Sequence, residues 1–160
     1  YRFTPMDKEG IDPKALEKSG ADILHISPSH HFPTGIVTPI ARRYTLLDWA
    51  AQSENRYIIE DDYDSEFSSV TRQIDTIYSL TPERVIYVNT FSKTLAPAMR
   101  TAYMVLPEEL MAEYTRRLGF YSCTVPAFEQ YVLAEFINGG ELERYINRRR
   151  RILRQEKKEK

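Results

Sequence analysis

Cysteine is almost missing from these 160 residues. Cys123 stands alone, so no internal disulfide framework is possible and the chain fits a reducing compartment. Long apolar runs are missing too. The hydrophobic stretches are strand-sized, too short to span a bilayer, and residues 1–10 have neither the apolar run nor the cleavage site of a signal peptide. Charge of one sign is not in excess: a formal net charge of -1 gives no global pull toward nucleic acid or a membrane surface. No internal repeat is visible, and no low-complexity segment precedes the charged tail. What remains is a cytoplasmic globular domain, long enough to bury a core.

What is present is an alternation of short apolar strands with longer amphipathic helices. That pattern predicts an α/β fold, a mainly parallel sheet sandwiched by helices. Asp12 and Pro13 open the first helix with a cap and a pre-set first turn, and Gly20 closes it. A buried strand follows over residues 22–26, then a loop over 27–35 in which two prolines and a glycine forbid regular structure. Thr38-Pro39 starts a helix whose apolar residues Ile40, Tyr44, Leu47 and Ala51 recur at helical spacing. Arg42, Arg43 and Asp48 fall on its wet side. Residues 57–59 form a short buried strand ending in Glu60-Asp61-Asp62, and 67–82 read as irregular. Residues 85–88 and 101–105 are further strands. Pro107 and Pro126 begin two helices that Gly119 and Gly139 end. From Glu141, the residues Leu142, Tyr145, Ile146, Ile152 and Leu153 mark one face of a long charged helix without a glycine stop. Both ends read as cut, so the expectation is a fragment of a longer protein.

Ligands of open α/β sheets bind at the carboxyl ends of the strands, and three such ends carry polar clusters here: residues 27–35, 60–66 and 90–93. Lys93 follows a strand closely and has Phe91, Leu95 and Ala96 for neighbours. An amine in partly apolar surroundings loses its charge more readily and becomes a nucleophile able to form a Schiff base with an aldehyde. The competing reading is an ordinary surface lysine. Ser92 does not make a hydrolytic Ser-Lys pair with it, because that motif places the lysine three residues on. Asp61 comes directly after a buried strand, where a carboxylate needs a cationic partner. A protonated pyridine nitrogen would be one, with Tyr63 able to reach a ring hydroxyl. Arg100 lies just before another strand, where its guanidinium can fork onto a phosphate, and Thr90 and Ser92 add hydroxyls to the same group. Calcium and zinc fit poorly. The acidic run lacks the glycine and twelve-residue spacing of an EF-hand, and His25, His30, His31 and Cys123 match no zinc spacing.

Together these segments resemble a known family. Residues 90–100, Thr-Phe-Ser-Lys-Thr-Leu-Ala-Pro-Ala-Met-Arg, resemble the lysine motif of class I/II aminotransferases, enzymes of pyridoxal-phosphate (PLP) fold type I. Residues 60–67, Glu-Asp-Asp-Tyr-Asp-Ser-Glu-Phe, resemble that family's pyridine-binding strand end. The resemblance implies PLP as cofactor, Lys93 as its anchor and catalytic residue, Asp61 at the ring nitrogen and Tyr63 near the ring hydroxyl. It places Thr90, Ser92 and Arg100 at the phosphate. With Pro-Ser-His-His-Phe-Pro-Thr-Gly at 28–35, the wording is similar to the MocR branch of GntR-type bacterial regulators. Those proteins join a winged-helix DNA-binding domain to an aminotransferase-like domain that senses a metabolite.

Two positions depart from pattern. Phe32 stands where aminotransferases carry an asparagine, as in the MocR branch, and His31 stands where that branch commonly has glutamine. The winged helix, the upstream helix that cradles the phosphate, the aromatic that stacks on the ring, and the small domain with its carboxylate-binding arginine are not in these residues. The expected organisation is therefore residues 1–140 as part of the PLP-binding large domain, and 141–160 as a helix leading toward a small domain. The implied partners are an amine or amino acid, DNA through a winged helix outside the chain, and a second copy in a homodimer. A genuine aminotransferase, moving an amino group between an amino acid and a 2-oxo acid, is the alternative. A nucleic-acid-binding reading rests only on residues 148–151, four consecutive arginines. It competes with a solvated helix face whose glutamates lie nearby.

Overall fold

The computed structural model describes residues 1–67 and 74–156. A small antiparallel hairpin, β1 (Met6–Asp7) and β2 (Gly10–Ile11), precedes helix α1 (Pro13–Ser19). The Asp12 side chain accepts from Lys14 N at the start of α1, and Gly20 ends it in the left-handed region at φ 65°. The main sheet has four strands in chain order: β3 (Ile23–Ile26), β4 (Tyr57–Asp61), β5 (Val85–Thr90) and β6 (Ala102–Val105). The first three are parallel and β6 is antiparallel, so the sheet is mixed. Helix α2 (Ile40–Ala51) makes the β3-to-β4 crossover, and the short α3 (Ile77–Leu80) lies on the β4-to-β5 connection. The sequence expectation of an irregular 67–82 thus changes at α3, while residues 68–73 of that stretch lie outside the described residues.

Beyond β5, a one-turn helix α4 (Phe91–Thr94) carries the lysine motif into β6. Helices α5 (Glu108–Leu118), α6 (Ala127–Asn138) and α7 (Glu141–Glu156) complete the chain, and α7 packs on α6. Pro107 and Pro126 occupy the caps of α5 and α6, as their fixed φ favours. On α7 the half-buried residues are those expected, Leu142, Tyr145, Ile146, Ile152 and Leu153, together with Arg150. Residues 157–160 lie outside the described residues. No described helix is long and apolar enough to cross a membrane.

Strand alternation puts the core on one face of the sheet. Leu24, Ile26, Ile58 and Val85 point there and meet Leu16 of α1, Leu46, Leu47, Trp49 and Ala50 of α2, and Ile77 of α3. The other face carries His25, Ile59, Asp61, Ile86 and Val88 and is more open, with Ile23 58% exposed.

The orientation of α2 corrects the sequence expectation. Ile40 and Tyr44, assigned to the core by spacing, are 41% and 52% exposed, and Ala51 is exposed too, while Arg43, assigned to water, is completely buried. Its guanidinium explains the reversal. Nε donates to Thr38 O at 3.0 Å, Nη1 to Asp75 O at 2.9 Å and Nη2 to Pro28 O at 3.2 Å, and Nη1 stands 3.7 Å from Glu60 Oε1. A buried guanidinium with three carbonyls and a facing carboxylate is satisfied, so hydropathy does not decide the face. Glu60 is as buried as its partner. It accepts from Ile77 N at 2.9 Å and Tyr78 N at 2.8 Å, holding the first turn of α3. Burial pushes the Glu60 carboxyl up, against the lowering pull of those two N–H groups and Arg43.

His31 is buried as well, with Nε2 3.0 Å from Thr38 Oγ1. Burial first, and then the charges of Arg43 and His30, push this imidazole below its ordinary value of 6.5.

Replacing Arg43 with leucine removes the facing cation from buried Glu60 and one donor from each of three carbonyls. We expect Arg43→Leu to cost about 3–5 kcal/mol in urea unfolding, whereas Arg42→Leu on the wetter side costs less. Because the folded state disfavours protonated His31, stability is complete above the unfolded value near 6.5 and falls as pH drops below it. His31→Gln should flatten that part of a plot of unfolding midpoint against pH.

Candidate functional site

The site is built where β4 and β5 end. Along β4, Ile58 and Glu60 face the core, so the period of two turns Asp61 to the open face at the last strand residue. There its carboxylate is 34% exposed, with His25 Nε2 of β3 3.6 Å away. Asp62 turns inward instead. It is buried, and Oδ2 accepts from Ser65 Oγ at 2.6 Å and Tyr87 Oη at 2.8 Å. Neighbouring aspartates therefore do different things. Asp61 is available to a ligand, and Asp62 holds the turn that follows the strand.

Lys93 lies on α4, one turn past β5. Its amine is not in the apolar surroundings expected from its sequence neighbours. Nζ is 2.7 Å from Asp64 Oδ2 and 4.9 Å from the centre of the Tyr63 ring, and the side chain is 48% exposed. Tyr63 is positioned by its hydroxyl, which donates to His30 O at 3.0 Å, and by stacking on the His30 ring. Burial raises the pKa of that phenol, with Lys93 pulling the other way.

The structure brings Thr90, Ser92 and Arg100 together. Arg100 Nη1 donates to Ser92 Oγ at 3.3 Å, and Thr90 Oγ1 lies 3.1 Å from the same oxygen. Both hydroxyls are already engaged. Thr90 Oγ1 caps α4 by accepting from Ser92 N, and also lies 3.2 Å from Thr101 O; Ser92 Oγ donates to Met99 O at 2.7 Å. Arg100 is the exposed member, with a guanidinium able to fork onto an anion.

Residues outside the sequence candidates tie these parts together. Asp64 links Lys93 to His30, whose Nδ1 is 2.7 Å from the same Oδ2. Glu66 accepts from Asn89 Nδ2 at 3.0 Å, joining the acidic turn to the end of β5 just before the lysine turn. Burial raises the Glu66 carboxyl. Helix α7 reaches the same place, with Arg150 Nε donating to Glu66 O and Tyr145 Oη to Leu95 O. Arg150 is thus partly structural. Beside it on α7 stand Asn147, Arg151, Arg154 and Gln155. Among the described residues no group of His, Cys, Asp and Glu could hold a metal ion.

The whole arrangement has known counterparts. A family model for aminotransferase class I and II matches residues 1–159. The chain is 42% identical over 149 residues to YhdI, an HTH-type transcriptional regulator of Bacillus subtilis, covering 92% of this chain and 32% of that protein. It is 33% identical over 150 residues to the HTH-type pyridoxine biosynthesis transcriptional regulator PdxR of Corynebacterium glutamicum, covering 94% and 33%. The chain therefore spans about a third of the length of these curated relatives. Among solved structures it is similar to LysN, the α-aminoadipate aminotransferase of Thermus thermophilus, complexed with N-(5'-phosphopyridoxyl)-L-leucine. The TM-score is 0.79 at 28% identity, over 95% of this chain and 41% of that one. A match running from before the first hairpin to the end of α7, and so including every group described above, shows that the chain belongs to the class I and II aminotransferase family.

Proposed function

We propose that this chain is the aminotransferase-like, PLP-binding part of a MocR-type transcription regulator of the GntR family, sensing an amine or amino acid through cofactor held on Lys93. The observation that carries the reading is the grouping of Asp61, Lys93 and the Ser92–Arg100 corner at the ends of β4 and β5, in a chain related to HTH-type regulators. DNA binding would fall to a part of the protein outside these residues. The intact protein would be a cytoplasmic homodimer, with 1–140 in its large domain and α7 leading toward a small one.

The donor set suits the cofactor. It offers one amine, one half-open carboxylate at a strand end and one corner of hydroxyls and guanidinium. Bound PLP supplies an aldehyde that takes up amines and a ring that withdraws electrons from them. Asp61 would hold a proton at the pyridine nitrogen, since its negative charge favours the protonated form. Arg100 would bind the phosphate, and Ser92 and Thr90 would turn their hydroxyls toward it from the carbonyls of Met99 and Thr101. Tyr63 would likewise have to release His30 O to reach a ring hydroxyl. Lys93 provides the attaching nitrogen once it leaves Asp64 and loses a proton.

A second reading is favoured by the likeness to LysN and by 29% identity over 163 residues to a 2-aminoadipate transaminase of Thermus thermophilus, which this chain covers to 41%. In a transaminase Lys93 would also move a proton on the substrate carbon. Conversion of bound PLP by added amino acids, with release of 2-oxo acids over repeated turnovers, separates enzyme from sensor.

Borohydride reduction of the PLP-loaded intact protein, followed by peptide mapping, should place the pyridoxyl group on Lys93, and Lys93→Ala should lose the visible absorbance of the attached cofactor. A label on another lysine overturns the assignment. For Asp61→Asn we expect PLP affinity to fall about tenfold or more, because a neutral amide cannot hold the ring proton. Asp64→Asn should change affinity less, and equal losses in spectroscopic titrations would mean that Asp61 is the wrong carboxylate.

A further inference from the structure

Asp64 is the point where three separate segments meet. Its Oδ2 is 2.7 Å from Lys93 Nζ on α4 and 2.7 Å from His30 Nδ1 in the loop after β3, so one oxygen receives both side chains. The Asp64 side chain is only 14% exposed, against 48% for Lys93 and 42% for His30. A carboxylate covered to that extent is costly to bury without partners, and these two side chains supply them. Tyr63 fixes the approach from below. Its ring lies under the lysine cation and stacks on His30, and its hydroxyl donates to the His30 carbonyl.

An exposed lysine–aspartate pair contributes little. This one differs in three respects: its acceptor is covered, a third side chain orients that acceptor, and an aromatic face supports the cation. The cation is also the nitrogen assigned above to the cofactor. We infer that Asp64, oriented by His30, is a positioning residue that holds the Lys93 amine in an ion pair, withheld from attack, until a cofactor aldehyde arrives. The inference rests on Lys93 being the attachment lysine. It assigns His30 and Asp64 to the management of that lysine rather than to contact with the cofactor.

Trace labelling with acetic anhydride at neutral pH, on the intact protein without PLP, reads the reactivity of the Lys93 amine. Lys14 and Lys18, exposed on α1, serve as internal references. Asp64→Asn should raise Lys93 labelling about two- to fivefold relative to them, the factor expected for loss of one partly exposed ion pair. Asp64→Glu, which keeps the carboxylate, should stay within about twofold of the unaltered protein. His30→Ala removes the orienting group alone; it should raise labelling by less, and it serves as the test where Asp64→Asn does not fold. Both Asp64→Asn and His30→Ala should also shorten the time for the visible absorbance to develop after PLP is added. A purely structural role for Asp64 would lower stability without changing Lys93 relative to the other two lysines. Unchanged relative labelling in both Asp64→Asn and His30→Ala overturns the holding role. A pyridoxyl label mapped to another lysine overturns instead the attachment site on which the inference rests, and because the labelling is done without PLP the two failures are told apart.

Discussion

The buried pair of Arg43 and Glu60 is the constraint around which the rest is arranged. Arg43 gathers the carbonyls of Pro28, Thr38 and Asp75, while Glu60 gathers the amides of Ile77 and Tyr78. Between them they fix both ends of the loop after β3, the start of α2, the middle of β4 and the first turn of α3. Each group is costly to bury alone. Together they bond main-chain atoms at the ends of the loop after β3 and at the start of α3 that an apolar pair could not bond.

The same pair sets the site by parity. With Glu60 committed to the core face, a strand can only present Asp61 on the other. Parallel pairing then brings the ends of β4 and β5 level, since Asp61 pairs with Val88 two residues before Thr90 starts the lysine turn. The antiparallel β6 returns Arg100 to the foot of that turn, beside Ser92. Register, rather than the loops themselves, accounts for how Asp61 comes to the same end of the sheet as Lys93 and Arg100.

Much of this is legible in the amino-acid sequence. The caps of α1, the strand cores at Ile58 and Val85, and the proline starts of α5 and α6 each follow from a local rule that burial does not override. The site segments are legible because each sits at a strand end. The face of α2 is not. Helical spacing weighs Arg43 as a solvated charge, and only carbonyls from distant segments make its burial tolerable. The surroundings of Lys93 escape local reading for a related reason. Phe91, Leu95 and Ala96 are its neighbours in sequence, but a one-turn helix points its third residue away from them and toward the acidic turn.

That last difference bears on what the site asks of its residues. A lysine in apolar surroundings would be kept ready to react by the cost of its own charge. A lysine on Asp64 is instead held in place by an ion pair and has to leave that contact to react. For a metabolite sensor the second arrangement has a use that the first lacks. The contact that Lys93 would release is made to a carboxylate oxygen that also lies 2.7 Å from His30 Nδ1 in the loop after β3. That loop is in turn anchored through Pro28 and Thr38 to Arg43. Lys93, Asp64 and His30 are thus joined by short contacts, and the loop that carries His30 is held in turn by the buried Arg43–Glu60 pair on which the fold depends.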